Sequence, residues 1–160
     1  MKPVASALLV LCLILFLGVH LGLAEETSFH RIKVADPKGN QVKAVLTFSD
    51  ANKAVEVHPS KGDAVTIPYG EINKCSYEYT KKHRIAPGVI LAAVSPAAGL
   101  IVFLTHSKSH WLEIDYHEQD ASKAYVLRMD KKEYIQILEA LKNHTGKDAE
   151  VLGNANKRGK

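Results

Sequence analysis

The alternation of apolar and polar residues along the chain predicts seven short strands. Between residues 27 and 129, short alternating runs are separated by turn residues such as Asp, Asn, Pro and Gly, which is typical of half-buried strands. The first four runs are joined by tight turns, which favours an antiparallel meander. The predicted strands are residues 29–35, 41–48, 54–58, 64–67, 71–80, 110–117 and 124–129.

The period of the pattern changes after Asp130 and predicts one C-terminal helix. Asp130 is a good N-cap, Glu133 stands at the spacing of a capping box, and Gly146 provides the stop signal. The apolar positions, at i, i+3, i+4 and i+7, are Tyr134, Ile137, Leu138 and Leu141. The chain is therefore expected to be mainly β with one α-helix of about fifteen residues.

An apolar insertion, residues 85–105, interrupts the strand pattern between the fifth and sixth predicted strands. Its length suits a membrane span of about 20 residues, but the strands on either side should pair in one sheet, which excludes a single crossing. The stretch Ser95–Gly99 contains Pro96 and predicts a break. The interpretation is a helical hairpin that enters one leaflet or packs on a membrane protein.

The hairpin and its basic ends supply the predicted binding surface. Basic residues flank the apolar run and would lie at the membrane interface, where each is worth about 1 kcal/mol on an anionic surface. The residues expected to contact a membrane or a partner are Lys81, Lys82, Arg84, Val89, Ile90, Leu91, Leu100, Ile101, Phe103, Leu104 and Lys108.

The first 24 residues are typical of an export signal. Lys2 is followed by an apolar run, and Gly22 and Ala24 are small residues at the positions that a signal peptidase reads. The run is also long enough to stay as an uncleaved anchor. We expect an exported, periplasmic or extracellular protein that associates with a membrane, with a domain at 25–150 and a flexible tail at 151–160.

Charge and cysteine content exclude some classes of function. The chain has a net charge of +4, and loss of Lys2 with the signal leaves 20 basic against 17 acidic residues, a net charge of +3. This mild excess gives no evidence for nucleic-acid binding. Cys75 is the only cysteine after residue 24, so an intramolecular disulfide cannot form.

The candidate chemical groups do not form a recognisable active site. His83, His106 and His110 lie at the two ends of the apolar insertion and raise the possibility of a zinc site, but no carboxylate lies among them and lysines lie nearby. Cys75 has no apparent base and is expected to be a buried core residue. We therefore predict no catalytic residue, no metal and no cofactor.

Three stretches resemble the pleckstrin-homology-like (PH-like) superfold. They are AVTIPYGEINKCSYEY (Ala64–Tyr79), KSHWLEIDY (Lys108–Tyr116) and YVLRMDKKEYIQILEALKNHTGK (Tyr125–Lys147), and the sequence is similar to an uncharacterised bacterial exported family of that type. The resemblance implies a seven-stranded antiparallel barrel or sandwich capped by the helix, used as a non-catalytic scaffold for lipid, peptide or protein. The turn Asp36–Asn40 is too short for a deep anion pocket, so no specific phosphoinositide is expected.

The sequence thus predicts a binding module associated with a membrane surface or a membrane protein through the hairpin. One alternative is a homo-oligomeric structural or assembly protein of the cell envelope that uses the same apolar patch. A second alternative is a small metal-dependent enzyme, which requires the three histidines and Glu113 to share a pocket.

Overall fold

The computed structural model describes residues 26–83, 90–91, 103–119 and 121–153. The predicted signal peptide and most of the apolar insertion lie outside the described residues. Val151 and Leu152, at the start of the predicted tail, belong to the last strand.

The described residues form nine strands and one α-helix. The strands are β1 (Glu26–Ala35), β2 (Gln41–Ser49), β3 (Ala54–Pro59), β4 (Val65–Pro68), β5 (Ile72–His83), β6 (Ile90–Leu91), β7 (Phe103–Glu118), β8 (Ala121–Met129) and β9 (Ala149–Leu152), and the helix is α1 (Tyr134–Thr145). A short 3-10 turn, Tyr69–Glu71, joins β4 to β5.

All nine strands belong to one mixed sheet. Its order is β4-β3-β2-β1-β8-β7-β5-β9, and β6 lies beside β8. Both β9 and β6 pair in parallel with their neighbours, and the remaining pairs are antiparallel. The prediction of seven antiparallel strands in a barrel or sandwich is therefore wrong, since the sheet is open and contains two additional short strands. Neither shows a period of two, because β9 has four residues and β6 has two.

The predicted helical hairpin between strands 5 and 6 is also wrong. Within the 85–105 insertion, Ile90 and Leu91 pair with Lys123 and Ala124 of β8, and the ladder of β5 and β7 continues to the pair His83 and Phe103. The described parts of the insertion are thus strands. A continuous apolar run has no period that separates a buried strand from a buried helix, and this is where the sequence-based prediction fails.

The hydrophobic core lies between one face of the sheet and α1. Leu112, Ile114 and Tyr116 of β7 belong to it, as their alternation predicts, and Ile137 and Leu141 of α1 are fully buried in the same cluster. Burial of each such side chain stabilises the fold by about 1.5–3 kcal/mol. The buried cluster of the described residues is drawn from positions 29 to 141, so the chain from residue 26 onward has a hydrophobic core of its own.

The helix begins four residues after the predicted cap. The carbonyl oxygen of Asp130 accepts hydrogen bonds from the backbone N–H groups of Glu133 and Tyr134 at 3.1 and 3.0 Å, so residues 130–133 form a turn instead. Glu133 does not close a capping box, because its Oε2 accepts from the backbone N–H of Arg31 at 3.1 Å. The predicted end is confirmed: Gly146 has φ 71° and donates to the carbonyl of Lys142.

The opposite face of the sheet, the outer face, is also buried around β7 and β8. Trp111 alternates with the core residue Leu112, yet it is only 1% exposed, and its Nε1 donates to the carbonyl of Thr80 at 3.2 Å. Ala124 and Val126 of β8 are buried on the same face. On this face, Arg128 of β8 is half-buried, and Lys33 of β1 and Lys43 of β2 are exposed.

Candidate anion-binding site

Three basic residues lie side by side across the outer face. Lys33 of β1 is directly opposite Arg128 of β8 on one side and Lys43 of β2 on the other. We call these three residues the basic row. Like charges directly opposite each other on neighbouring strands are destabilising. Lys33, Lys43 and Arg128 have no ion-pair partner among the residues that the structure describes, so the row is a concentration of uncompensated positive charge.

One end of the basic row opens into a cleft of about 310 Å³. The cleft lies between β1, β7 and the turn from β8 to α1. We call it the basic cleft, and its charged lining residues are Arg31, Lys33, Lys108, Arg128, Lys131 and one acid, Asp130. Arg31 pairs with Glu133, which leaves four cations against one carboxylate, and this net positive charge favours an anionic ligand.

The carboxylates at the cleft leave four of its cations without an acidic partner. Glu133 pairs with Arg31, with Oε1 3.6 Å from Nε, and Oδ1 of Asp130 accepts from the backbone N–H of Lys132 at 2.9 Å. Within the described chain, Lys33, Arg128 and Lys131 have no carboxylate partner, and Lys108 has only the ring of Tyr79, 5.7 Å from its Nζ. These cations therefore remain available to a ligand.

An irregularity in the ladder of β5 and β7 brings Lys108 to the cleft. Thr80 pairs with Ser109, and Lys82 pairs with Leu104. Between these pairs β5 has one residue, Lys81, whereas β7 has the four residues 105–108. Such a bulge bends its strand and redirects side chains. Ser107 and Lys108 of the bulge line the cleft.

Aromatic rings form the inner wall of the cleft around His110. The imidazole stacks on Tyr134 with centroids 3.9 Å apart and on Tyr79 at 4.6 Å. Its Nδ1 lies 2.7 Å from the hydroxyl of Tyr77. Burial lowers the pKa of His110, an effect that Asp130 opposes, and burial raises the pKa of Tyr77 to about 12.

A second cavity, of about 360 Å³, lies between α1 and the strands β1 and β2. In it, Nδ1 of His144 is 3.0 Å from Oδ1 of Asp50, and its Nε2 is 3.1 Å from the hydroxyl of Thr27. The His144 ring also stacks on Phe48, with centroids 5.6 Å apart. The hydrogen bond from His144 lowers the pKa of Asp50. These contacts attach the end of α1 to the sheet, and both ring nitrogens of His144 have a partner.

The structure places the predicted binding residues on three strands. Lys81 and Lys82 lie on β5, Ile90 and Leu91 on β6, and Phe103, Leu104 and Lys108 on β7. Only Lys108 lies in the basic cleft. Arg84, Val89, Leu100 and Ile101 lie outside the described residues. The insertion is thus attached at its described ends to the strands β5 and β8, which neighbour β7 on either side.

Sequence reasoning misses the residues that complete the cleft. Arg31 and Lys33 stand out only as basic residues of the first hairpin, and Arg128 and Lys131 carry no motif. The sequence contains one indication for two of them. Lys33 and Arg128 alternate with apolar residues, which places them on the outer face of their strands. The register that sets them opposite each other is a property of the sheet.

The described residues hold no grouping of three or more His, Cys, Asp or Glu side chains that suits a metal ion. His106 and His110 lie on β7 and therefore do not have the i, i+4 spacing of one helix face. Glu113, which the alternative of a metal-dependent enzyme requires beside the three histidines, is only 6% exposed. Cys75 is buried, which confirms its predicted place in the core, and burial raises the pKa of its thiol to about 12. Among the described residues, no helix has the length and apolar character needed to cross a membrane.

Comparisons with known proteins show similarity of fold only. No protein-family model matches the sequence, and no curated protein matches it. The fold is similar to a chain in the structure of the Spt16D Pob3N heterodimer, with a TM-score of 0.45 and 13% identity over 86% of this chain and 59% of that one. It is also similar to the hSac2 domain from the human phosphoinositide phosphatase Sac2, with a TM-score of 0.48 and 16% identity over 92% and 88%. Both neighbours are PH-like folds, and at these TM-scores they bring no function to this chain.

Proposed function

We propose that this protein is a non-catalytic binding module that associates with an anionic membrane surface. The basic row and the basic cleft make the electrostatic contact, and the apolar insertion at 85–105 adds a hydrophobic one. The observation that carries the proposal is the position of Lys33, which has a cation directly opposite it on both neighbouring strands.

The basic row is costly to the isolated protein and useful at an anionic surface. Like charges on facing cross-strand positions cost up to about 1 kcal/mol for each pair. At an anionic surface each Lys or Arg contributes about 1 kcal/mol, so Lys33, Lys43 and Arg128 together contribute roughly 3 kcal/mol. An anionic partner therefore offsets the repulsion within the row.

The position of the apolar insertion supports a membrane as the anionic partner. Its described ends lie on β6, next to β8, and on β7, next to β5. Arg128 of the basic row is on β8, and Lys108 of the cleft is on β7. An apolar segment attached to strands that carry cations is a combination that suits the membrane interface. Ile90, Leu91, Phe103 and Leu104, the predicted contact residues of the insertion that the structure describes, lie on strands and keep this proposed role without a helical hairpin.

Vesicle binding by the fragment 25–160 tests the proposal, since the fragment contains the whole described core and lacks the apolar N-terminal run. The double variant Lys33→Glu/Arg128→Glu removes two of the proposed contacts, so we expect its affinity for anionic vesicles to fall at least about 30-fold. The control Lys38→Glu/Lys61→Glu makes the same charge change in two exposed turns outside the cleft and should lose far less.

Equal losses in the two double variants would contradict the assignment of the surface to the basic row. Absence of vesicle binding by the unmodified fragment would contradict the membrane proposal itself. If that fragment instead formed a defined oligomer in solution, the alternative of an assembly protein would replace it.

A further inference from the structure

The basic cleft has features that a diffuse membrane-binding surface does not require. Its cations come from separate parts of the chain, namely Lys33 on β1, Lys108 on β7, Arg128 on β8 and Lys131 in the turn before α1. They surround a defined volume of about 310 Å³, which is near the lower end of the range for small-molecule sites. Convergence of this kind suits a compact ligand with several negative oxygens.

The single carboxylate in the lining does not neutralise the cleft. Asp130 keeps its charge while it accepts from the backbone N–H of Lys132, and Glu133 pairs with Arg31, so Asp130 faces four other cations in the lining. Arg128 offers a planar fork of donors that matches the oxygens of a phosphate, and the lysines add donors that need no fixed direction. A ligand with two negative charges would gain most from this set.

His110 is held so that one ring nitrogen is left for a ligand. The Tyr77 hydroxyl, 2.7 Å from Nδ1, keeps its proton at neutral pH because burial raises its pKa to about 12. When this hydroxyl donates to Nδ1, the ring hydrogen is on Nε2, which is then a donor. Stacking on Tyr134 and Tyr79 fixes the plane of the ring. Nε2 of His110 thus has no partner among the residues that the structure describes, and His110 lines the cationic cleft.

From this arrangement we infer that the basic cleft is a specific site for a phosphate monoester, bound by Arg128, Lys33, Lys131 and Lys108 with His110 Nε2 as an additional donor. The inference rests on the proposed function in that both use the cations of one surface. The proposed site differs from the turn Asp36–Asn40, which is too short for a deep anion pocket, because no residue of that turn lines the cleft. The monoester could be a lipid headgroup or a soluble phosphorylated molecule, which share this chemistry.

Titration of the fragment 25–160 with inorganic phosphate and with glycerol phosphate tests the inference, with the imidazole NMR signals of His110 as the readout. Both probes should bind saturably and shift these signals. Arg128→Gln should weaken binding by about tenfold or more, because it removes a charge-assisted pair. Lys38→Gln, outside the cleft, should leave the affinity unchanged. Lys131→Gln provides a second cleft variant in a turn, where folding is least affected.

The source of the phosphate is decided by vesicles that contain either phosphatidic acid, a monoester, or phosphatidylglycerol, a diester. Preference for phosphatidic acid that glycerol phosphate competes away supports a lipid headgroup, and binding of glycerol phosphate without such a preference supports a soluble ligand. Absence of saturable phosphate binding, or equal losses in Arg128→Gln and Lys38→Gln, would overturn the inference. If phosphatidylglycerol vesicles still bind in that case, the proposed membrane association stands and the specific phosphate site is rejected. If phosphate binds saturably but no vesicle binds, the phosphate site stands and the proposed membrane association is rejected.

Discussion

Lys33 and Arg128 occupy directly opposite positions on β1 and β8, with both side chains on the outer face of the sheet. Lys43 extends this arrangement on the other side of Lys33. A cross-strand position next to a cation normally favours an acid or a neutral residue. This position is therefore one at which folding stability and the proposed binding make opposite demands.

Replacement of Lys33 by glutamate should raise stability. Lys33→Glu converts two repulsive cross-strand pairs into attractive ones, each worth about 0.2–1 kcal/mol, so the free energy of unfolding should increase by roughly 1 kcal/mol. Urea titration at low salt measures this change. About 1 M salt should remove most of the gain, because it reduces the screening length to about 3 Å.

The same variant should bind anionic vesicles more weakly, although it is the more stable protein. Lys61→Glu, in the exposed turn between β3 and β4, makes the same charge change without a facing cation and should leave stability nearly unchanged. A decrease in the stability of Lys33→Glu would show that Lys33 has favourable contacts at this position, which would contradict the proposed repulsion within the basic row.

His110 should make the fold less stable in mild acid. Burial lowers its pKa in the folded state, while Asp130 opposes the shift, so the unfolded chain binds the proton more readily. Stability from this group is therefore present above about pH 6.5 and is lost as the pH falls below it. The groups facing the ring are Tyr77 and Tyr79 of β5, Tyr134 of α1 and the nearby Lys108 and Asp130.

His110→Phe keeps an aromatic ring in the stack but cannot be protonated. The free energy of unfolding should decrease from about pH 7.5 to about pH 5.5, and this decrease should be smaller in the variant than in the unmodified fragment. The other histidines are common to both proteins and cancel in the comparison. An identical pH dependence of the two proteins would mean that the His110 pKa is not shifted by folding.

Asp50 should contribute its stability in a lower pH window. Its pKa is lowered, chiefly by the hydrogen bond from His144, so the contribution is present above the ordinary carboxyl pKa of about 3.9 and is lost as the pH falls through the folded value. The stability of Asp50→Asn should therefore decline less below about pH 4 than that of the unmodified fragment. Asp63→Asn, in an exposed turn, should follow the unmodified curve.

Two glycines allow a matched test of the helix end. Gly146 has φ 71°, and no atom lies within 4 Å of the point that a Cβ would occupy, whereas Gly70 has equal space and no left-handed φ. Gly146→Ala should lower the free energy of unfolding by roughly 1–2 kcal/mol from backbone strain alone. Gly70→Ala should be neutral or raise it by up to about 1 kcal/mol. Equal effects would show that the helix does not end in the left-handed conformation.

Local patterns are sufficient to predict much of the fold. The alternation of Leu112, Ile114 and Tyr116 predicts the core face of β7, and Gly146 predicts the end of α1. The apolar insertion cannot be predicted in the same way, because Ile90 and Leu91 are strand residues only through their pairing with Lys123 and Ala124. A pairing over this distance leaves no periodic signal in so short a strand.

The candidate site shows the same division between local and long-range information. The position of Lys108 beside the apolar run predicts a binding residue, and this role stays a prediction; the structure places Lys108 in the basic cleft. Arg128 and Lys131 are more than ninety positions from Arg31 in the sequence. They join Arg31 and Lys33 only through the antiparallel register of β1 and β8. The cleft is therefore a product of sheet topology, which no single motif encodes.

The most direct test of the central claim is the binding of the fragment 25–160 to vesicles whose anionic lipid content is increased stepwise from none. Association through the basic row and the basic cleft predicts negligible binding to neutral vesicles, binding that rises steeply with the anionic fraction, and loss of most binding at about 1 M salt. Binding that is independent of anionic lipid and of salt, or no binding to any of the vesicles, would contradict it.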